Sequence, residues 1–167
     1  ALDGPACDKL ARFLRLADAQ GWPVITFVDT PGFMVGPDSE RTGLVRRAGD
    51  LFIAAARLRV PLFSVMLRRG FGLGAMALTG GHFHAPRAIC AWPSGEFGPM
   101  GLEGSVRLGF RKELQAQPEG PQREALFQRL LAEAVERGQA LNMASHLEID
   151  EVIDPAETRD WLLRQLA

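Results

Sequence analysis

The chain has 167 residues, 47% hydrophobic and 23% charged, a composition that argues against disorder and for about one globular domain with a real core. Its 19 basic and 20 acidic side chains leave a formal charge of −1, which gives no electrostatic case for nucleic acid or an anionic membrane as partner. No apolar run reaches the roughly 18 to 20 residues of a membrane span, and no charged-then-apolar leader opens the chain.

The first predicted element is an amphipathic helix over Pro5–Gln20, with Ala6, Leu10, Phe13, Leu14 and Ala17 at helical spacing, Pro5 in the first turn and Gly21 as the stop. Cys7 within it and the distant Cys90 both have apolar neighbours, as reduced core residues of a cytoplasmic protein do. Ala1 rather than Met opens the sequence, as in a processed or truncated piece. After Gly21-Trp22-Pro23 comes Val24–Val28, a β-branched run apolar on both faces and expected to be a strand covered on both sides. Asp29–Glu40, rich in Gly, Pro and Asp, reads as a loop at the strand edge where α/β folds commonly bind ligands. A second helix is expected over Gly43–Arg59, through Leu44, Ala48, Leu51, Phe52, Ala55 and Leu58, ended by Val60-Pro61.

Val60 to Gly81 is the centre of the chain. A strand-like apolar run is broken by Gly70, Gly72 and Gly74 and resumes as small apolar residues, which reads as strand, glycine turn, helix. Backbone amides exposed at such a turn suit an anion, resident or formed during a reaction. A short strand at Ile89–Trp92 leads into a second glycine-rich loop, Pro93–Gly104, placed to face the first. Gln115–Gln122 reads as a polar spacer and Arg123–Arg137 as a helix. A strand at Ile149–Ile153 then runs into Asp154, Pro155 and Glu157, a capping box for a final helix. No repeat or low-complexity tract is present.

Several chemistries compete with blander readings. Asp29-Thr30-Pro31-Gly32 after a strand suits a GTPase, but no G-x-x-x-x-G-K-[ST] loop accompanies it. Gly72, Gly74 and Ala77 spell G-x-G-x-x-A, a dinucleotide fingerprint of low specificity, and the next strand ends in Ala91-Trp92-Pro93 with no acidic residue. His82 and His84 lack a third metal ligand at convincing spacing, and His146 is isolated. Ser64, Ser94, Ser105 and Cys90 have no nucleophile setting. Arg46, Arg47, Arg68 and Arg69 offer a phosphate grip, with a solvated face as the preferred reading. What survives is a site of backbone amides, with no metal and no titrating side chain, and amides alone perform oxyanion stabilisation.

Five stretches carry a family resemblance: FVDTPGFMVGPDSE at 27–40, GLVRRAGDLFIAAARLRVP at 43–61, RRGFGLGAMAL at 68–78, AWPSGEFGPMGLEGSVRLGFRKE at 91–113 and DEVIDPAETR at 150–159. In that order they resemble the carboxyltransferase (β) subunits of biotin-dependent acyl-CoA carboxylases of the propionyl-CoA and methylcrotonyl-CoA type. The resemblance implies a crotonase-like α/β fold, a ββα spiral, and it makes residues 1–167 most of the C-terminal, biotin-side domain of a longer two-domain chain, without its opening strands. It also implies an active site shared between the two halves of dimer mates and a cytoplasmic, dimer-based hexamer. The implied partners are an acyl-CoA substrate and a biotin carboxylase and biotin carrier (α) subunit, with biotin arriving as carboxybiotin. The isolated piece is then expected to bind but not to turn over.

In the family the biotin oxyanion hole is a glycine turn. Laid on this sequence it is Phe71-Gly72-Leu73-Gly74, with the amides of Leu73 and Gly74 as the catalytic donors, and Gly74→Pro is expected to abolish transfer while leaving the fold largely intact. The departures are Phe71 for the family's Tyr, Leu73 for a Gly or Ala, and Met76 for the Asp of propionyl-type members, a position linked to acyl-chain choice. The alternatives are a biotin-dependent acyl-CoA decarboxylase subunit and a non-catalytic crotonase-like assembly module.

Overall fold

The computed structural model describes residues 1–167. In chain order the elements are α1 (Gly4–Gln20), β1 (Val24–Thr30), α2 (Pro37–Arg41), α3 (Leu44–Ala56), β2 (Leu62–Phe71), α4 (Gly72–Leu78), β3 (Ala88–Ala91) and β4 (Glu96–Gly98). They continue as α5 (Leu102–Gly109), α6 (Arg111–Ala116), α7 (Pro121–Gly138), α8 (Ala140–Ser145), β5 (Glu151–Val152) and α9 (Thr158–Leu166), the last preceded by a 3₁₀ turn at Pro155–Glu157. No helix is long and apolar enough to cross a membrane.

The ten-residue β2 is the spine of a parallel sheet ordered β1-β2-β3-β5. Its first half pairs with β3, from Phe63 opposite Ala88 to Met66 opposite Ala91, and its last three residues pair with β4, ending with Phe71 opposite Gly98. All these pairings are parallel, so β1 to β2, β2 to β3 and β3 to β5 cross over through the helices between them, whereas β4 follows β3 after only residues 92–95 and pairs further along β2. α1 and α3 pack Cys7, Ala11, Leu14, Leu51 and Ala55 with Val24 and Leu62 of the sheet. A separate cluster joins Phe63, Val65 and Cys90 to Ile153 and the fully buried Trp161 of α9, whose indole N–H donates to the Glu151 carboxylate.

Local chemistry explains most boundaries. The Asp3 carboxylate caps α1 by accepting from Ala6 N–H at 2.8 Å, and Gly21, at φ +70°, ends it in the left-handed conformation. The buried face of α1 is Cys7, Ala11, Leu14 and Ala17, rotated from the expected one, so that Phe13 points to solvent. The expectation that both faces of Val24–Val28 are covered does not hold. β1 is an edge strand whose exposure alternates, with Ile25 at 37% and Phe27 at 54%.

The tract 93–104 is not all loop, because it contains β4 and the start of α5. Three residues, one of them a glycine, offer no alternation to read, and only their pairing to β2 makes them a strand. The polar spacer shrinks to 117–120, since Gln115 and Ala116 complete α6. At the far end only Glu151 and Val152 pair as β5, and the Asp154 carboxylate accepts from Ala156 N–H at 2.8 Å as cap of a 3₁₀ turn that continues into α9.

Both cysteines are free and buried. Burial, reinforced by Glu151 and Asp150, pushes the Cys90 thiol up to about 12, and burial likewise raises Cys7. With so little thiolate available, neither is expected to react with iodoacetamide in the folded chain at mildly alkaline pH, whereas both react in denaturant. Mass spectrometry of native and denatured samples counts the adducts, and rapid native labelling of Cys90 would contradict the packing described.

Candidate functional site

The site is built by β2, which runs without interruption into α4. Gly72 makes the turn at φ +60°, and a Cβ there would lie 2.7 Å from the Pro99 carbonyl oxygen, so glycine is required on two counts. Gly74 is required on a third, because its Cβ would lie 2.7 Å from the carbonyl carbon and 2.8 Å from the Cα of Gly32. The turn is therefore wedged between the loop after β1 and the loop after β4. The expectation that two glycine-rich loops meet is realised, with the loop after β1 as a third wall.

At the start of α4 the first N–H groups have no acceptor one turn back. Neither the Leu73 nor the Gly74 N–H donates to any loop, cap or side-chain oxygen. Gly74 and Ala75 are buried, whereas Leu73 is 61% exposed, so its side chain does not crowd the turn. Met76 is half-buried and lies three residues after Leu73, on the same flank of the helix. Phe71 is buried at the wall of a cleft of about 830 Å³ shared with Phe33, Met34, Met100, Leu131 and Val135. The five residues singled out from the sequence, Phe71, Gly72, Leu73, Gly74 and Met76, thus form one continuous piece of strand, turn and helix.

The packing corrects one expectation. Gly74→Pro deletes an amide but also places ring atoms where the Gly32 backbone already sits, so it does not leave the fold intact. The position at which an amide is removable without a clash is Leu73.

The remaining candidates fall away as sites. Arg68 and Arg69 are not a free phosphate grip. The Arg68 guanidinium donates to Asp29 Oδ2 at 2.9 Å, and Arg69 donates to Asp29 Oδ1 through Nε at 3.1 Å and its backbone N–H at 3.2 Å. Burial alone would raise Asp29, but these donors outweigh it and hold the carboxyl at about 2. Arg47 pairs with Asp8 at 2.9 Å. His82 and His84 lie in a turn, with His84 Nε2 at 3.2 Å from Glu148 Oε2, and no three His, Cys, Asp or Glu side chains come together as a metal group. Ser64 Oγ bonds to Thr26 Oγ1 at 2.8 Å, and Ser94 Oγ donates to the Leu67 carbonyl at 2.7 Å. Gly72, Gly74 and Ala77 do sit at a strand-to-helix turn, but β3 ends in Ala91 with no carboxylate.

Sequence reasoning missed Asp29, Thr30 and Gly32 as parts of the turn's support. The readable signal was an acidic residue near the end of one strand and two adjacent arginines near the end of the next.

Comparison with known proteins gives consistent results. The model of the carboxyl transferase domain family matches residues 1–167. The chain is 36% identical over 167 residues to the biotin-dependent acetyl-/propionyl-coenzyme A carboxylase beta6 subunit of Mycobacterium tuberculosis, covering 99% of this chain and 35% of that protein. A solved structure of a single-chain, multi-domain long-chain acyl-CoA carboxylase matches at 50% identity and a TM-score of 0.85, over 99% of this chain and 16% of that one. The transcarboxylase 12S crystal structure, described as a hexamer assembly with methylmalonyl-coenzyme A bound, matches at 32% identity and a TM-score of 0.89, over 99% and 31%. The chain thus spans about a third of the length of the first curated relatives it matches.

Proposed function

The chain belongs to the carboxyl transferase domain family, and from that premise we propose that it forms the C-terminal, biotin-side domain of the carboxyltransferase component of a biotin-dependent acyl-CoA carboxylase. Its fold is of the crotonase-like α/β class. In this reading the Leu73 and Gly74 N–H groups are the catalytic donors that hold the ureido oxygen as it gathers negative charge. Carboxybiotin, held at this turn, would supply both the carboxyl group and the base for the acyl-CoA α-carbon, with the Leu73 and Gly74 N–H groups holding its ureido oxygen. The chain's own work is to fix two donors in place before charge appears, so that no reorganisation is needed at the moment of reaction.

The observation that carries the reading is a turn closed on both sides by backbone, at which the Leu73 and Gly74 N–H groups donate to no loop, cap or side-chain oxygen. Backbone donors at a packed turn suit a developing oxyanion, because they are held in place before the charge appears. The acyl-CoA half, the biotin carboxylase and carrier subunit and the oligomer come from outside these residues. For the oligomer the support is the hexamer assembly described for the 12S neighbour. Met76, three residues on from Leu73, is the position that bears on the choice of acyl chain.

The test is to assemble the full-length protein with its carrier subunit and assay carboxylation of acyl-CoAs from short to long. A carboxylated acyl-CoA is expected, and the 167-residue piece alone is expected to give none. Failure of the assembled enzyme with every acyl-CoA, in both the carboxylating and the decarboxylating direction, would overturn the reading and favour an assembly module.

A further inference from the structure

We propose that Asp29 is a positioning residue for the Leu73 and Gly74 donors, acting through the loop after β1 and the end of β2; this rests on the function proposed above. The first observation is a break in register. Val28 faces Met66, but Thr30 faces Gly70, so two steps along β1 span four along β2. An extra pair of residues in one strand leaves part of the ladder unbonded and re-aims the chain beyond it. Asp29 sits opposite that break and replaces the missing ladder acceptor with its side chain, taking the Arg69 N–H at 3.2 Å. It also takes both adjacent guanidiniums, Arg68 at 2.9 Å and Arg69 at 3.1 Å, which fixes the two extra residues against β1. The next residue of β2 is Gly70, and the turn begins two residues later at Gly72.

The second observation lies on the other side of Asp29. Thr30, buried, accepts from the Gly32 N–H and donates to the Gly32 carbonyl, each at 3.2 Å, and the Leu2 N–H donates to that carbonyl at 2.9 Å. This fixed peptide is the one a Cβ at Gly74 would strike. Asp29 is thus tied to β2 at the point where β1 leaves for the Gly32 wall and β2 continues into the turn. Loss of its carboxylate frees the Arg69 N–H and leaves two adjacent guanidiniums without their shared acceptor, and the end of β2 is then free to shift relative to Gly32.

Two variants of the full-length enzyme test this. With Asp29→Ala the kcat for carboxyl transfer is expected to fall about 10²-fold, the loss typical of a displacement of about 1 Å in a preorganised site, while KM for acyl-CoA stays within about twofold. Asp29→Asn, which keeps an acceptor for the Arg69 N–H, is expected to lie between that variant and wild type. In a background of Leu73→Pro, which removes one of the donors, Asp29→Ala is expected to lower kcat by much less than it does alone, because both act on the same donors. A merely stabilising residue would lower Tm without this coupling.

Hydrogen exchange gives a readout independent of activity: in Asp29→Ala the peptide over residues 70–78 is expected to exchange about tenfold faster or more, with α1 unchanged. If wild type shows no carboxyl transfer, the function proposed above fails and exchange alone decides the positioning role. A kcat for Asp29→Ala within twofold of wild type, multiplicative losses in the double variant, or unchanged exchange at 70–78 would each overturn it.

Discussion

Leu73→Pro in the full-length enzyme is expected to lower kcat for carboxyl transfer by about 10²- to 10³-fold, the loss typical of removing one oxyanion donor, while the chain remains folded. The expectation follows from where the residue sits. Leu73 is the second residue of α4, where proline is tolerated because its missing N–H had no partner one turn back. Its side chain is largely exposed, so exchanging it removes little core packing. The residue before it is Gly72, whose missing Cβ relieves part of the restriction that proline places on its predecessor. Leu73→Ala is the matched control: it removes the side chain and keeps the N–H, and its kcat is expected to stay within a few-fold of wild type. Circular dichroism and Tm confirm folding for both. A Leu73→Pro enzyme with wild-type kcat would remove the Leu73 amide from the mechanism, and a large loss in Leu73→Ala would move the effect to the side chain.

The contrast between Leu73 and its neighbours also shows what the sequence could and could not carry. Strand, turn and helix at Val60–Gly81 were legible because a β-branched and aromatic run gives way to glycines and then to small residues, a local pattern. The stop at Gly21 and the cap at Asp154 were legible for the same reason. β4 was not, since a strand of three residues exists only through its pairing to β2. The exposed face of β1 was hidden too. An apolar residue on an edge strand reads like one in the centre of a sheet, and only strand order distinguishes them. From composition Asp29 looks like the start of a loop, because its role depends on Arg68 and Arg69, some 40 residues on, and on a register break that composition does not record. The consequence of a side chain at Gly74 lies in the Gly32 backbone, likewise distant in sequence.

That hidden contact sets the other large effect. Gly74→Ala is expected to cost about 1–3 kcal/mol of stability, the range for overpacking a filled site, and to impair transfer although every N–H of the turn is retained. The added methyl would lie 2.7 Å from the Gly32 carbonyl carbon, closer than real Cβ atoms approach. Relief is hard to find on either side. Gly32 is already glycine, its carbonyl is bonded to the Leu2 N–H and the Thr30 hydroxyl, and the opposite wall of the turn is the Pro99 carbonyl, against which Gly72 has no slack. Gly49→Ala provides the comparison. It lies inside α3 at an ordinary φ with open space around its would-be Cβ, so the same chemical change is expected to be neutral or to stabilise by about 0.5–1 kcal/mol through helix propensity. Urea unfolding midpoints of the two variants measure the difference, and equal midpoints would mean that the Gly32 loop yields freely. In that case the turn is not held between its walls, and the donors at Leu73 and Gly74 are not preorganised by them.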